Sequence, residues 1–337
     1  MDLAQIGLIG CGFIGKVHAK AYAQIPDAKV VAVVDRDPAR AGEVARELGA
    51  EVAPSFDDSV CRRDIDVVDI CLPTHLHADH VISAARAGKH VFCEKPMALS
   101  LAQADAMIEA TDQAGVAFMV GHTLRFWPEY VAIKKLLAGS ELGKPVALAA
   151  TRLGTAPVWS WDRWLLDPER SGGAVLDLHI HDIDYIAWLL GRPKAVVAKG
   201  ARSASRSWDH VFTTLDYGDG LVAFAEGTFL VPSSFPFTMT FRAICENGTA
   251  EFIFRAGVNI EARQEAENPV TVYRKDGSLV HPEVSKEDAY KAELEYFIKC
   301  VEQGKRPEVT TPADARLSLE IVLTVIRSLE TGEVVEM

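Results

Sequence analysis

The sequence has few of the features that mark membrane, nucleic-acid-binding or disulfide-stabilised proteins. Its longest stretch without a charged residue, Gly227 to Phe241, contains two prolines and is too short to cross a bilayer. The formal net charge is −12 and no basic run is present, which argues against nucleic acid or an anionic membrane as a partner. The N-terminal Met1-Asp2-Leu3 carries no basic segment, so we expect no signal peptide.

Cysteine is also sparse. The six cysteines are scattered along the chain, and no two of them form a C-x-x-C pair. This spacing is unlike that of a structural zinc site or of a dense disulfide framework. We therefore expect reduced, mostly buried thiols in a cytoplasmic protein. Internal repeats and low-complexity segments are absent as well.

The first third of the chain alternates short apolar runs with helix-compatible segments. At 337 residues, with 49% hydrophobic and 24% charged residues, the chain has the composition of a globular protein and the length of two domains. Strands are predicted at 6–9, 29–34, 51–53, 66–72, 90–93 and 116–120, with helices between them. Such alternation predicts an α/β domain over residues 1–121, with a doubly wound parallel sheet.

Residues 122–337 follow a different pattern. A helix at 128–137 and a strand near 146–152 precede a tryptophan-rich loop and a helix at 173–190. Strands are then predicted at 195–199, 209–217, 221–230, 237–245, 250–254 and 270–274, and helices at 286–302 and 312–330 close the chain. Asn247-Gly248 is a strong hairpin signal. The pattern predicts an α+β second domain with a largely antiparallel, open sheet.

The first strand runs directly into a glycine-rich turn. Gly10, Gly12 and Gly15 form Gly-x-Gly-x-x-Gly between a strand and a helix, the context that the Rossmann dinucleotide fingerprint requires. Phe13 and Ile14 belong to the same turn, whose amides would face a pyrophosphate. Asp35 ends the second strand, at the spacing where an acid accepts hydrogen bonds from the adenosine ribose. The alternative is a structural turn with a helix-capping aspartate.

The residues around Asp35 bear on the choice of cofactor. A 2′-phosphate would meet Asp35 and Asp37 unfavourably, although Arg36 could offset part of this by stacking or pairing. NAD is therefore predicted to be preferred over NADP.

Two further motifs follow the glycine-rich turn in a fixed order: Glu94-Lys95-Pro96 and the segment 172–184, which reads GGAVLDLHIHDID. Together with Arg125-Phe126-x-Pro128, they make the chain resemble the Gfo/Idh/MocA family over nearly its whole length. The resemblance implies a Rossmann domain, a C-terminal domain whose open sheet is often used for oligomerisation, and NAD(P)-dependent redox chemistry on sugars, polyols or inositols. It implies a homodimer or homotetramer.

The proton chemistry can be argued from the residues. Asp177 and His181 are i and i+4, so on a continuous helix they share one face. A carboxylate there can orient an imidazole and stabilise its protonated form, and histidine titrates near neutral pH. The alternative is a helix-stabilising surface pair. Lys95 lies at the carboxyl end of a strand, the edge where ligands bind in such sheets. The resemblance implies that it lies near the nicotinamide and the substrate hydroxyl.

The resemblance implies further contacts. The Pro-x-x-x-His loop over the cofactor is matched by Pro73 and His77, so the predicted cofactor-binding set also includes Leu72, Thr74, Glu94, Lys95 and Arg36. Arg125 is predicted to bind substrate. Trp161, with Trp159 and Trp164, could border the substrate pocket or simply anchor a loop. His179 could line that pocket or be a buried structural histidine.

One motif suggests a different chemistry. His75-x-His77-x-Asp79-His80 has the spacing of a dinuclear zinc site, which would make the protein a hydrolase. That hypothesis leaves the glycines, Asp35 and Glu94-Lys95-Pro96 unexplained. A second alternative is a nucleotide-binding sensor without turnover. The favoured interpretation is an NAD-dependent oxidoreductase in which His181, oriented by Asp177 and assisted by Lys95, handles the proton.

Overall fold

The computed structural model describes residues 3–203, 207–256 and 269–337. Met1 and Asp2 lie outside this range. They begin the N-terminal segment for which we expect no signal peptide. The chain forms two compact units, Met1–Phe126 with Glu287–Arg316, and Trp127–Lys286 with Leu317–Met337. The predicted division after residue 121 differs from these units chiefly because a late helix returns to the first one. No described helix combines the length and apolar character needed to cross a bilayer.

The first half of the chain alternates strands and helices as the sequence predicts. Its strands are β1 (Ala4–Ile9), β2 (Ala28–Val34), β3 (Glu51–Val52), β4 (Val67–Ile70), β5 (His90–Glu94) and β6 (Phe118–Gly121). Its helices are α1 (Phe13–Tyr22), α2 (Pro38–Leu48), α3 (Phe56–Val60), α4 (His77–Arg86) and α5 (Leu101–Ala114), with a 3₁₀ turn at Thr74–Leu76. The side chains of Asp37, Ser55 and Ser100 cap the N-termini of α2, α3 and α5.

Within the described residues these strands form one parallel sheet in the order β3-β2-β1-β4-β5-β6. Every residue of β4 and β6 is buried, because helices cover both faces of a parallel sheet. The predicted doubly wound α/β fold is thereby confirmed.

The second half of the chain is richer in strands. These are β7 (Pro145–Leu153), β8 (Ala195–Arg202), β9 (Trp208–Gly218), β10 (Leu221–Thr228), β11 (Thr238–Cys245), β12 (Gly248–Arg255), β13 (Thr271–Arg274), β14 (Leu279–Val280) and β15 (Val335–Glu336). The helices are α6 (Pro128–Ala138), α7 (Pro168–Ser171), α8 (Gly173–Asp177), α9 (Ile180–Leu190), α10 (Ala289–Glu302) and α11 (Pro312–Thr331). A further 3₁₀ segment spans Trp161–Leu166.

Helix α10 is part of the first unit. Its buried residues Leu294, Phe297 and Ile298 join the apolar core that contains Leu8 and Phe92. The ring centroids of Phe92 and Phe297 are 5.7 Å apart in an edge-on arrangement. The late helix therefore completes a Rossmann core that the first 121 residues were predicted to build alone.

The second unit is built on a sheet in the order β14-β13-β12-β11-β7-β10-β9-β8-β15 among the described residues. Its neighbours are antiparallel except for β7 and β10, so the predicted largely antiparallel sheet is confirmed. The predicted hairpin at Asn247-Gly248 joins β11 and β12, with Cys245 opposite Gly248. One face of the sheet packs on an aromatic cluster in which Tyr130 and Tyr185 lie 4.6 Å apart, edge to face.

The predicted continuous helix from Gly173 to Leu190 is wrong. Helix α8 ends at Asp177 and α9 begins at Ile180. The amide of His179 donates to the carbonyl of Ala174, five residues back, and that of Asp182 donates to His179, three residues back. This change of hydrogen-bond pattern interrupts the α-helix between the two predicted catalytic side chains.

Candidate active site

The glycine-rich turn has the geometry of a dinucleotide site. Gly10 has a φ of +97°, and a Cβ there would lie 2.5 Å from the carbonyl oxygen of Cys71. A Cβ on Gly15 would overlap the carbonyl oxygen of Gly10. A Cβ on Gly12 would meet nothing within 4 Å, and Gly12 begins α1 without a side-chain cap. Two glycines thus permit the tight packing of the turn, while the third leaves open space beside the first amides of α1, as a pyrophosphate requires.

Asp35 is tied to this turn. Its carboxylate accepts hydrogen bonds from the amides of Cys11 and Asp37, each at 2.8 Å, and from the guanidinium of Arg40 at 2.9 Å. A carboxylate has about four acceptor positions, so Asp35 can still accept from a ribose hydroxyl. Arg40 also lies 3.6 Å from Asp37. Arg40 was not predicted from the sequence, although its position three residues after Asp37, the N-cap of α2, suggests an ion pair.

Lys95 directly follows β5 and is half-buried. The peptide bond between Lys95 and Pro96 is cis. The preceding Glu94 is buried, and both of its carboxylate oxygens are engaged. Oε1 lies 3.1 Å from Nε2 of His18, and Oε2 accepts the amide of Lys95 at 3.1 Å. The Glu94 side chain therefore organises the end of β5, and its direct contact with the cofactor stays a prediction.

His77 joins the two loops at this edge of the sheet. Its ring is fully buried, with Nδ1 2.8 Å from the carbonyl oxygen of Pro96 and Nε2 2.8 Å from that of Leu72. Burial lowers the pKa of His77, and the two backbone contacts oppose that shift. The ring thus braces the Leu72-Pro73-Thr74 loop against Pro96. This gives His77 a positioning role beside the predicted cofactor contacts of that loop.

The zinc hypothesis does not fit this geometry. Both ring nitrogens of His77 face backbone carbonyl oxygens, and Nδ1 of His80 lies 2.8 Å from the carbonyl oxygen of Leu76. Among the described residues, three potential ligands converge only at His18, Asp69 and Cys71, away from the His-x-His-x-Asp-His motif. The His-x-His-x-Asp-His motif forms part of the 3₁₀ turn at Thr74–Leu76 and the first turn of α4.

Asp177 and His181 flank the interruption between α8 and α9, and both are half-buried. Because the helix is interrupted between them, their i, i+4 spacing does not place them on one helical face. Their catalytic pairing stays a prediction that depends on this non-helical junction.

His179 lies inside that junction and is a structural histidine. It is fully buried, and its Nε2 lies 2.9 Å from the hydroxyl oxygen of Thr213 on β9. Burial, with the positive charge of Arg152 and the neighbouring His210, lowers the pKa of His179 to about 3, so the ring is neutral at physiological pH. The structure answers the question that the sequence left open.

A buried ion pair anchors the start of α9 to the sheet. Arg152 on β7 donates from Nε to Asp182 Oδ2 at 2.8 Å and from Nη2 to Oδ1 at 3.1 Å. Both side chains are almost completely buried. Burial raises the pKa of Asp182, and the bidentate contact with Arg152 opposes that shift. The pair therefore attaches Asp182, which directly follows His181 in the sequence, to strand β7.

Two predicted substrate residues have structural partners. The buried guanidinium of Arg125 donates to the carbonyl oxygen of Val309 at 2.8 Å and lies 3.3 Å from Asp314. The guanidinium carbon of Arg170 lies over the indole of Trp161, 5.4 Å from the centroid of the indole ring. These contacts stabilise the surrounding segments, and the substrate contacts of Arg125 and Trp161 stay predictions.

Other residues that were not predicted from the sequence are polar groups buried in apolar surroundings. Asp69 lies within the apolar strand β4 and is fully buried beside His18 of α1. An acid in a buried strand implies a buried partner, because an unpaired carboxylate there is costly. That signal is present in the sequence, but it does not identify the partner.

Comparison with known proteins identifies the class. Residues 4–122 match the model of the oxidoreductase family with an NAD-binding Rossmann fold, and residues 130–251 match the GFO/IDH/MocA C-terminal domain. The chain belongs to the Gfo/Idh/MocA family, and it is an NAD(P)-binding oxidoreductase.

Its relatives include several dehydrogenases. The chain is 32% identical to scyllo-inositol 2-dehydrogenase (NAD(+)) of Bacillus subtilis, over 99% of this chain and 96% of that protein. It is 31% identical to D-xylose 1-dehydrogenase (NADP(+)) 2 of Haloferax volcanii, over 99% of both. The crystal structure of a putative myo-inositol dehydrogenase from Sinorhizobium meliloti 1021 has a TM-score of 0.82, with 29% identity and 99% coverage of each chain.

The packing of His179 generates a prediction about the junction. A Cβ on Gly227 of β10 would lie 2.8 Å from Nδ1 of His179, so Gly227→Ala should push the ring away from Thr213. We expect a loss of about 1–3 kcal/mol in stability, as for an overpacked core. Turnover should fall as well, since His181 is two residues away. Thermal unfolding and steady-state kinetics measure both effects.

Gly42→Ala is the matched control, because a Cβ at that helical position meets nothing within 4 Å. It should leave turnover unchanged. A Gly227→Ala protein with wild-type stability and turnover would show that the junction tolerates displacement of His179.

Proposed function

We propose that this protein is an NAD-preferring dehydrogenase that oxidises a secondary alcohol of an inositol, a sugar or a related polyol. The observation that carries the proposal is Lys95 at the carboxyl edge of a parallel sheet whose glycine-rich turn, Gly10 to Gly15, is shaped for a dinucleotide. The full-length similarity to inositol and xylose dehydrogenases supports the substrate class.

The residues of the chain supply the proton chemistry. The bound nicotinamide provides the hydride acceptor. His181 removes the hydroxyl proton, and Asp177 orients its imidazole and stabilises the charge that the ring gains. The ammonium of Lys95 stabilises the negative charge that develops on the substrate oxygen. His77 and Glu94 act beneath this site, because each holds the backbone next to Lys95.

The proposal is tested with a panel of inositols, aldoses and other polyols, followed by the absorbance of reduced nicotinamide. We expect turnover with at least one member. His181→Asn should lower kcat by about 10²–10⁴-fold, the range for loss of a general base, and Lys95→Ala should lower it with little effect on NAD binding.

His80→Asn is the control, because the zinc hypothesis requires His80 and the dehydrogenase does not. It should keep wild-type turnover. NAD binding without reduction by any polyol would favour the nucleotide sensor. Wild-type kcat in His181→Asn would remove that residue from the mechanism.

The preference for NAD is argued from charge. Asp35 accepts hydrogen bonds from the Cys11 amide of the glycine-rich turn, from the Asp37 amide at the start of α2 and from Arg40, so its carboxylate is held where a 2′-phosphate would approach. Arg40 in turn is engaged by Asp35 and Asp37. Its positive charge is therefore largely compensated. Arg36 is exposed and lies at the same strand end.

Replacing Asp35 should reverse this preference. In Asp35→Ser the carboxylate is lost, and Arg40, which then keeps only its longer contact with Asp37, can pair with a phosphate. We expect the ratio of kcat/KM for NADP to that for NAD to rise by about tenfold or more, the equivalent of one charge-assisted contact. Asp37→Ser is the matched control, and it should change the ratio less. An unchanged ratio in Asp35→Ser would mean that Asp35 does not select the cofactor.

The outer face of the second sheet supports assembly into a homodimer or homotetramer. Phe212, Val222, Phe224, Ile244 and Ile253 are each 37–43% exposed on neighbouring strands. Phe212 and Phe224 stack with ring centroids 5.8 Å apart. Small residues of β7 lie between these side chains, since Phe224 is opposite Ala149 and Ile244 opposite Ala147. This face, which combines exposed apolar side chains with the ion pair of Arg242 and Glu251, suits a second copy of the same sheet.

A charge in this face should weaken the assembly. Phe224→Lys should give a species of lower mass in sedimentation or light-scattering measurements, because a two-fold interface would bury the lysine twice. Leu279→Lys on the edge strand β14, where Leu279 is 53% exposed, is the control and should keep the wild-type mass. Equal masses for wild type and Phe224→Lys would exclude this face as the interface.

A cytoplasmic location completes the proposal. Five of the six thiols are buried and all six are unpaired, which suits a reducing compartment.

A further inference from the structure

His18 occupies an unusual position for a titratable side chain. It lies on α1, the helix that begins at the glycine-rich turn, and its ring is fully buried. Nδ1 lies 2.8 Å from Oδ2 of Asp69 on β4, and Nε2 lies 3.1 Å from Oε1 of Glu94 on β5. One imidazole thus joins the nucleotide-binding helix to the ends of two neighbouring strands.

The two carboxylates define the protonation state of the ring. An ionised carboxylate only accepts hydrogen bonds, so each of the two ring nitrogens must carry a hydrogen. The other oxygens of both carboxylates also face donors, because Asp69 Oδ1 accepts the thiol of Cys71 at 3.5 Å and Glu94 Oε2 accepts the amide of Lys95 at 3.1 Å. The donors around Glu94 favour its ionised form. The arrangement is an imidazolium between two carboxylates.

The electrostatics agree with this assignment. Burial lowers the pKa of His18, but the charges of Asp69 and Cys71 and the hydrogen bonds with these two side chains raise it well above the ordinary value. Burial raises the pKa of Glu94, but the hydrogen bond from His18 and its charge lower it below the ordinary value. The titratable groups that surround the ring come from four elements: Tyr22 on α1, Asp69 and Cys71 at β4, Glu94 on β5, and Tyr290 and Glu293 on α10.

A metal ion is a poorer explanation of the same cluster. Nδ1 of His18 is 2.8 Å from Asp69 and 3.2 Å from the sulfur of Cys71. Two ligands at about 2.0–2.3 Å from a tetrahedral zinc stand about 3.3–3.8 Å apart. The nitrogen and the carboxylate oxygen are closer than that, at the length of a charge-assisted hydrogen bond.

We propose that His18 is a positioning residue for the dehydrogenase reaction: as a buried imidazolium it fixes the Glu94 carboxylate that holds the backbone of Lys95. The inference rests on the proposed role of Lys95. Glu94 has little freedom besides this contact, because a Cβ on Gly121 of β6 would lie 2.9 Å from its Oε1. Phe92 and Tyr290 close the space around the ring, at centroid distances of 5.6 and 6.2 Å. The Glu94–Lys95 segment is thus held by the ionic hydrogen bond from His18 to Glu94 and by close packing of Glu94 against Gly121.

The first test is spectroscopic and does not depend on activity. With the histidines ¹⁵N-labelled and His18→Gln used for assignment, the two ring nitrogens of His18 should show the similar shifts of a doubly protonated ring at pH 7 and above. In Glu94→Gln the midpoint of deprotonation should fall, because the ring loses one of its two carboxylates. A ring of the wild-type protein that carries one proton at pH 7 would overturn the proposal.

The second test separates positioning from general stability. Glu94→Gln and Asp69→Asn each remove one carboxylate from His18, but only Glu94 contacts Lys95. We expect Glu94→Gln to lower kcat by about tenfold to a hundredfold, as for a small misplacement of a reacting group, and to change kcat more than it changes KM for NAD. Asp69→Asn should lower the melting temperature at least as much and kcat clearly less.

Glu293→Gln is the matched control, since this buried glutamate of α10 accepts the hydroxyl of Thr123 at 2.6 Å, a contact that an amide oxygen preserves. It should keep wild-type kcat.

Equal losses of kcat in Glu94→Gln and Asp69→Asn, in proportion to their losses of melting temperature, would reduce the network to a structural role and overturn the proposal. If Lys95→Ala itself turned over normally, the proposed function would fail together with this inference. An inactive Lys95→Ala beside a fully active Glu94→Gln would refute the inference alone.

Discussion

The parallel register of the first sheet is the constraint on which the cofactor site depends. Ile9 is level with Ile70, Ile70 with Cys93 and Cys93 with Val120. The chain therefore leaves four adjacent strands at the same height, and the next residues of each strand form one row. The glycine-rich turn, the Leu72 loop, Lys95 and the Gly121 backbone all belong to that row. Their proximity follows from strand pairing, while the side chains below them determine how rigidly each is held.

Those side chains are charged, and burial makes charge costly. His18 with Asp69 and Glu94 in the first unit, and Arg152 with Asp182 in the second, are almost completely removed from water. Replacing a buried ion pair with apolar residues is often neutral or stabilising, so such pairs are weak arguments for stability. Each network includes a residue next to a predicted catalytic group in the sequence. Glu94 precedes Lys95, and Asp182 follows His181. We interpret them as devices that specify one local geometry, because a charged hydrogen bond tolerates fewer arrangements than apolar packing does.

The features predicted correctly from the sequence are those that depend on interactions between residues close together in the chain. The strands of the first domain, the serine cap of α5 and the turn glycines follow from apolar runs, side-chain hydrogen bonds and backbone sterics, each of which is encoded within a few residues. The return of α10 to the first unit was not predicted, because an amphipathic helix has the same pattern whichever core it covers. The partner of Asp69 was not predicted either, since His18 is distant in sequence and only the parallel register brings the two together. The family resemblance predicted the oxidoreductase class, whereas the contacts that support the predicted site required three-dimensional information.

His179 and His181 show why residue type and spacing were insufficient at the second site. A continuous helix would place them on different faces, with the second beside Asp177. The interrupted helix instead sends His179 inward to Thr213, in a space that exists only because residue 227 is glycine. Burial there depresses the basicity of the first ring, while the second remains half-buried next to a residue anchored by Arg152. Two histidines separated by one residue thus lie in different surroundings: one is fully buried, neutral and part of the packing, and the other is half-buried. The difference arises from the backbone between α8 and α9, so substitutions that alter this junction should affect turnover without replacing either of the two predicted catalytic side chains.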